Sequence, residues 1–361
     1  MTFMLHGIEE SLKRLGFKFN PFKDLSPDDP NFDKLFINRK KELYKMEMAL
    51  EFYSGGGKKN VVLIGEPRIG KTTFLNYVYR DITKYMKCVK FRFILRFIEF
   101  TRELFKLLEE NNSLEDSLDK GDITLRDLGN RLIQLSERYK SKAVIMIDNF
   151  EEFLNIKEDE REEYIRIFKR SDFMFIIACI RDEWYKILDV YPALRSVFSE
   201  DILLEPFKLK HTFELINSRV EVASESGKNP FTDEAIRLIG IYSFFIPGRI
   251  VDLANKVIFE CIAEEADIID EELVKKVIFE SPTLSKFLED LSDKEIQVIE
   301  IMVEIGEPVG FEELSKKMNV SRVTVAEYIQ KLIKKGIVEH LETTGKKKYF
   351  KLKESFKQLL V

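Results

Sequence analysis

The stretch Asn60 to Phe74, NVVLIGEPRIGKTTF, constrains the chain more than any other. An apolar run, Val61 to Ile64, leads into Gly65-Glu66-Pro67-Arg68-Ile69-Gly70-Lys71-Thr72, which fits G-x-x-x-x-G-K-[ST], and a helical pattern begins at Thr73. A strand feeding a glycine loop and then a helix is the context a phosphate-binding loop requires. The glycines let backbone N–H groups turn inward around phosphate oxygens, and the open amides of the helix start add partial positive charge. In this reading the nucleotide set runs from Gly65 to Thr73. Lys71 reaches the outer phosphates of ATP or ADP, and the Thr72 hydroxyl ligates magnesium. The alternative is a glycine turn that merely precedes a helix.

A second landmark is KAVIMIDNFEEF, Lys142 to Phe153. Ala143 to Ile147 read as a buried strand with Asp148 at its C-terminal end. In a parallel sheet, ligands bind at that edge, so Asp148 is expected to face the loop and to hold magnesium through water. An ordinary acidic residue leaving a strand is the competing reading. Strands are also expected at Cys88 to Leu95, Phe173 to Ile180 and Leu203 to Phe207, with helices at 73–85, 97–110 and 124–139 between them. This alternation, with largely apolar strands, predicts a three-layer α/β domain around a parallel sheet. Phe91, Phe93, Phe97 and Phe100 are expected to fill its core. Ahead of the loop, Leu43, Met46, Ala49, Leu50 and Tyr53 share one helical face, and Pro21, Pro27 and Pro30 mark an irregular strap.

After Pro206 the pattern turns wholly helical, at 210–224, 232–240, 247–264 and 270–280, which reads as a lid. Beyond it, helices at 293–304, 311–318 and 321–335 and a hairpin around Thr343 to Lys348 spell a winged helix-turn-helix. Ser321 is the expected N-cap, and Ile329, Leu332 and Ile333 are expected to pack inward. Ser321, Arg322, Thr324, Tyr328 and Lys331 would face the major groove of duplex DNA, with Lys346, Lys347 and Lys348 along phosphates. Such a domain also serves protein docking, and that reading stays open. Net charge is -5 over 361 residues, yet Gly310 to Val361 hold 12 Lys or Arg against 6 Asp or Glu, so DNA contact belongs at the C-terminal end. The domain boundaries expected are 1–205, 206–284 and 285–361.

Cys88, Cys179 and Cys261 are scattered thiols without metal-ligand spacing, and His6, His211 and His340 share no motif. No apolar run approaches a membrane span, and charges come too early at the N-terminus for a secretory segment, so a cytoplasmic setting without membrane partners is expected.

With these landmarks in order, the chain resembles an AAA+ ATPase of the archaeal origin-recognition and cell-division-control initiator type. Asn20-Pro21-Phe22 and Leu35 to Leu43, which includes Arg39, resemble that family's lead-in, implying that Asn20, Phe22 and Arg39 lie against the adenine. The resemblance implies three functional arginines. Arg249, in Pro247-Gly248-Arg249-Ile250, takes the lid sensor position, and Arg195, in Ala193 to Phe198, that of the finger completing a neighbour's site. Arg181 occupies the first sensor position, usually a small polar residue. A surface or ion-pair role is the alternative for each.

The family places Glu directly after the strand-end Asp, whereas this chain has Asn149. An amide bonds the attacking water but accepts no proton from it. Glu151 or Glu152 would substitute only with an unusual strand end. The expectation is therefore an ATP-binding, initiator-like protein with slow hydrolysis, whose nucleotide state controls engagement of DNA, self-association on DNA or recruitment of a replicative helicase. A second reading is an archaeal P-loop switch ATPase acting in signalling or transcription, which Arg68 in the loop suits. A third makes ATP a structural ligand.

Overall fold

A computed structural model describes residues 9–108, 124–225, 227–280, 291–341 and 348–359. Its contacts divide the chain into two compact units. One is Ser26–Glu205; the other joins the residues up to Leu25 to those from Pro206 onward.

The first unit is built on five strands, β1 (Val61–Gly65), β2 (Lys87–Phe91), β3 (Ala143–Ile147), β4 (Met174–Ile180) and β5 (Glu200–Leu204), in the order β2-β3-β4-β1-β5 with all pairs parallel. Every residue of β1 and β3 is buried. Parallel strands covered by helices on both faces need such unbroken apolar runs. The register sets Gly65 opposite Ile180 of β4 and Leu204 of β5, so the phosphate loop leaves a strand paired on both sides. The covering helices are α1 (Lys40–Ser54), α2 (Lys71–Ile82), α3 (Phe97–Leu108), α4 (Leu125–Arg138), α5 (Glu158–Arg170) and α6 (Arg181–Val190), followed by the single turn α7 (Leu194–Val197).

Aromatic residues dominate one layer of the core. Phe97, Phe100 and Tyr164 meet with ring centroids 5.1 to 6.5 Å apart, and Phe150 stacks on Phe153 at 4.9 Å. Phe93 departs from expectation: it is 52 % exposed, while Phe91, Phe97 and Phe100 are buried. The strand expected over 88–95 ends at Phe91 because β3, its one ladder partner among the described residues, ends at Ile147, opposite Phe91. The chain then bends through 92–96 and turns Phe93 outward.

In the second unit, helices α8 (Leu209–Ala223), α9 (Asp233–Tyr242), α10 (Pro247–Ala263) and α11 (Glu271–Phe279) form a helical cluster. The N-terminal segment is strapped to α8: Lys18 N donates to Ala223 O at 2.8 Å, and Arg219 Nη1 donates to the carbonyls of Pro21 and Lys23 at 3.1 and 3.0 Å. The chain continues through α12 (Asp293–Ile305), β6 (Val309–Gly310), α13 (Phe311–Met318), α14 (Arg322–Lys334), β7 (Val338–Leu341), β8 (Tyr349–Leu352) and α15 (Glu354–Leu359). An antiparallel sheet in the order β6-β8-β7 completes a winged helix.

Asn319, in the left-handed conformation at φ 53, makes the turn between α13 and α14. Asparagine tolerates that conformation better than other non-glycine residues. Val325, Ile329 and Leu332 seat α14 on the core, but Ile333 is 37 % exposed, against expectation. One residue past Leu332 turns about 100° around the helix, which takes Ile333 off a narrow buried stripe.

Candidate nucleotide-binding site and DNA-facing helix

The phosphate loop is held from within and from behind. A Cβ on Gly65 would stand 2.9 Å from Ile69 Cγ2 and 3.0 Å from Leu204 O, so the loop closes against β5 only because position 65 has no side chain. Gly70 is at φ 100, a left-handed turn that opens α2. Ile69 is buried, and Arg39 brackets its carbonyl: Nη2 donates to Ile69 O at 3.1 Å and Nη1 to Glu205 O at 2.8 Å, with Glu42 at 3.5 Å. Arg39 thus fastens the loop to the chain leaving β5.

Lys71 is 8 % exposed, and its Nζ donates to Gly65 O and Glu66 O, each at 3.0 Å. Burial pulls its pKa down; the carboxylates of Glu151, Asp148 and Glu66 act in the opposite sense. Thr72 Oγ1 donates to Asp148 Oδ2 at 2.6 Å, joining residues 76 apart in sequence across the end of β4. A threonine hydroxyl and a buried carboxylate in contact, beside a glycine loop and a lysine, are an oxygen set that suits hydrated magnesium and a nucleotide's outer phosphates.

Beyond Asp148 the backbone does something unusual for a strand end. Asn149 is left-handed at φ 47 and ψ 50, and a 3-10 helix, Phe150–Asn155, starts at once. The Asn149 amide donates to Arg92 O at 2.8 Å, and its backbone N–H donates to Asp148 Oδ1 at 3.0 Å. Glu151 is half-buried, and its Oε2 is withdrawn from solvent without a hydrogen-bond partner among the described residues, whereas Glu152 is exposed and accepts from Asn155 Nδ2 at 2.6 Å. A cleft of about 800 Å³ opens here, lined by Phe93, Arg96, Asn149, Glu151 and Lys157 among others.

Arg181 is the first residue of α6, directly after the β4 residue that faces Gly65, and lies 4.0 Å from Glu66 of the loop. Arg195 is exposed on α7. In the second unit, Asn20 Nδ2 donates to Asn255 Oδ1 at 2.6 Å, Phe22 packs edge-on against Phe231 at 5.8 Å, and Arg249 lies in the first turn of α10. Sequence reasoning missed Lys90. Its ammonium donates to Asn76 of α2 and feels the charge of Asp148. A lysine at an alternating position in the β2 strand was the available signal.

On the winged helix, the expected groove residues are partly engaged with one another. Ser321 Oγ accepts from Thr324 N at 3.1 Å and contacts Thr324 Oγ1 at 2.8 Å, and Arg322 pairs with Glu312. Lys331 Nζ lies 5.9 Å from the Tyr328 ring centre. Val323, passed over in the sequence, is 71 % exposed in the first turn of α14. Lys348 is exposed, while Lys346 and Lys347 lie outside the described residues.

Comparison with known proteins agrees with this architecture. Residues 54–188 match the family model described as AAA domain, and residues 285–354 match that of the sugar-specific transcriptional regulator TrmB. Over 98 % of its length the chain is 22 % identical to an uncharacterized HTH-type transcriptional regulator from Methanocaldococcus jannaschii, covering 95 % of that protein. The crystal structure of Cdc6p from Pyrobaculum aerophilum is similar with a TM-score of 0.57 at 14 % identity, covering 94 % of this chain and 96 % of that one. The Aeropyrum pernix Orc1 protein in complex with DNA gives 0.52 at 14 % identity, covering 92 % and 94 %. The fold is therefore that of an AAA+ P-loop domain with a C-terminal winged helix, and the resemblance to archaeal initiators holds at the level of fold. Among the described residues no helix is long and apolar enough to cross a membrane.

Proposed function

We propose that this protein is a nucleotide-controlled DNA-binding regulator: the AAA+ unit binds ATP with magnesium, and the bound nucleotide sets how the winged helix engages duplex DNA. The observation that carries the nucleotide half is the 2.6 Å contact between Thr72 and Asp148 beside the buried Lys71. Thr72 and Asp148 would hold magnesium, which would supply positive charge to the outer phosphates; Lys71 would exchange its loop carbonyls for phosphate oxygens, and Arg39 ties the loop to the chain leaving β5. Arg181, next to the loop, serves as the first sensor. The exposed Arg195 serves as a finger toward a second copy assembled on DNA. Functionally the chain divides at 1–205, 206–284 and 285–361, and turnover is slow.

A transcriptional role is favoured over replication initiation by the TrmB match of residues 285–354 and by the relative named as an HTH-type transcriptional regulator. Recruitment of a replicative helicase is the competing reading. The test is duplex binding measured with ATP, with ADP and without nucleotide, in wild type and Lys71→Ala. Wild type is expected to bind DNA with an affinity that differs several-fold between ATP and ADP. Lys71→Ala should bind ATP at least about 100-fold more weakly, the loss of a charge-assisted phosphate contact, and show one DNA affinity throughout. Equal DNA affinities in wild type would sink nucleotide control. Mapping the occupied chromosomal sites then separates promoters from replication origins.

A further inference from the structure

We infer that the helical cluster and the winged helix move as one body, joined through Glu300 and Glu304 of α12, and that this joint carries the nucleotide state to DNA. The second half rests on the nucleotide-control reading above; the first stands without it.

The joint lies where two central helices meet. α9 packs against α8, α10 and α11 and is the hub of the helical cluster, while α12 packs against α13, α14 and β8 and holds the same place in the winged helix. The two hubs also pack against each other, and the helical cluster and winged helix fall in one compact unit. Burial agrees with this. Leu238 to Tyr242 of α9 are buried without a break, and so are Ile301 to Val303 of α12. Successive residues turn about 100° around a helix, so such runs wrap far around it, whereas a helix covered on one side shows only a stripe. Each hub is therefore covered on more than one side.

Polar side chains fasten the contact. The hydroxyl of Tyr242, a buried residue, donates to Glu300 Oε1 at 3.1 Å. One turn further along α12, Glu304 Oε2 accepts from Arg237 Nη2 at 3.2 Å, and Glu234 Oε1 steadies Arg237 by accepting from its Nη1 at 2.6 Å. The other oxygen of Glu304 lies 3.6 Å from Lys317 Nζ of α13. A single carboxylate thus ties α9 to α13, the helix that turns through Asn319 into α14. Exposed ion pairs contribute little, but Arg237 and Glu304 are only 25 % and 22 % exposed along their side chains, and Tyr242 less still.

A helical cluster that shifts must therefore take α12, and with it α14, along. DNA that seats α14 must in turn restrain α9, because coupling between two sites is reciprocal.

The experiment uses the full chain and a mixed-sequence duplex. Wild type, Arg237→Glu, Glu304→Arg and the double exchange Arg237→Glu/Glu304→Arg are compared in two measurements: amide hydrogen exchange of α9 with and without the duplex, and duplex affinity with ATP and with ADP. In wild type the duplex is expected to slow exchange in α9 as well as in the winged helix. Either single exchange sets like charges against each other across the joint, so protection should stop at α12. The several-fold difference between ATP and ADP should then fall to within about 1.5-fold, while ATP affinity stays within about 3-fold of wild type. The double exchange restores opposite charges and should recover both the protection of α9 and the nucleotide effect. Exchange in wild-type α9 that ignores the duplex would overturn the inference, as would single variants that keep the wild-type ratio of ATP to ADP affinities. A double exchange as impaired as the singles would show that the pair is not the joint and overturn it too. Equal duplex affinities with ATP and ADP in a wild type whose α9 is still protected would instead bring down the nucleotide-control reading, and with it the second half of the inference, while supporting the first.

Discussion

Gly65 shows how tightly a single position can be held. The loop turns away from β1 at a point where Leu204 of β5 and Ile69 of the loop leave no room for a methyl group. Gly65→Ala must move either the β5 backbone or the buried Ile69, and overpacking of this kind costs about 1 to 3 kcal/mol. A lower melting temperature together with weakened ATP binding is expected, since the displaced atoms belong to the loop. Unchanged melting would mean that the loop has slack. Arg39 belongs to the same account. From sequence it resembles a residue of the adenine lead-in, whereas the structure engages its guanidinium with two backbone carbonyls, Ile69 O and Glu205 O. Which acceptors a buried arginine finds depends on chain segments distant in sequence, so no local pattern announces them.

At the scale of elements, α14 was legible in advance because its boundaries and buried stripe are local properties. Ser321 caps it and Val325, Ile329 and Leu332 seat it. The face it offers was less legible. Two of the polar residues expected there, Ser321 and Thr324, are hydrogen-bonded to each other, Arg322 pairs with Glu312, and Val323 stands out instead. Apolar contact with a thymine methyl is the usual reading such a side chain gives in the major groove. Val323→Ala is expected to weaken binding to the preferred site by about 1 kcal/mol, the worth of one to two buried methyl groups, with little change on unrelated DNA. Replacing the contacted thymine by uracil should remove the difference between wild type and variant. A loss equal on both DNAs would place Val323 off the bases. The strand β2 teaches a similar lesson: alternation suggested eight residues, but pairing stopped where its neighbour β3 stopped.

For the whole molecule, the net charge of -5 conceals a C-terminal segment with a surplus of positive charge. DNA binding through that segment should depend steeply on salt although the protein is acidic overall. If about five phosphates are neutralised, the log–log slope of affinity against salt is about -4 to -5. Lys348→Ala, at an exposed residue just ahead of β8, should make the slope shallower by about 1 without changing sequence preference. A slope unaltered by that substitution would remove the wing from the contact.

The sequence by itself determined the phosphate loop, the strand carrying Asp148, the succession of α/β, helical and winged-helix segments, and the buried stripes of the principal helices. These follow from short-range rules: glycine where the backbone must turn, apolar runs where strands are covered on both faces, a hydroxyl where a helix begins. Only the tertiary structure decided that Thr72 meets Asp148, that Arg39 braces the loop, that Phe93 turns outward and that the Asn149 amide reaches Arg92 O. Each of these depends on which distant segments are packed together, through sheet order and register, and on where the displaced backbone after Asn149 carries its side chains.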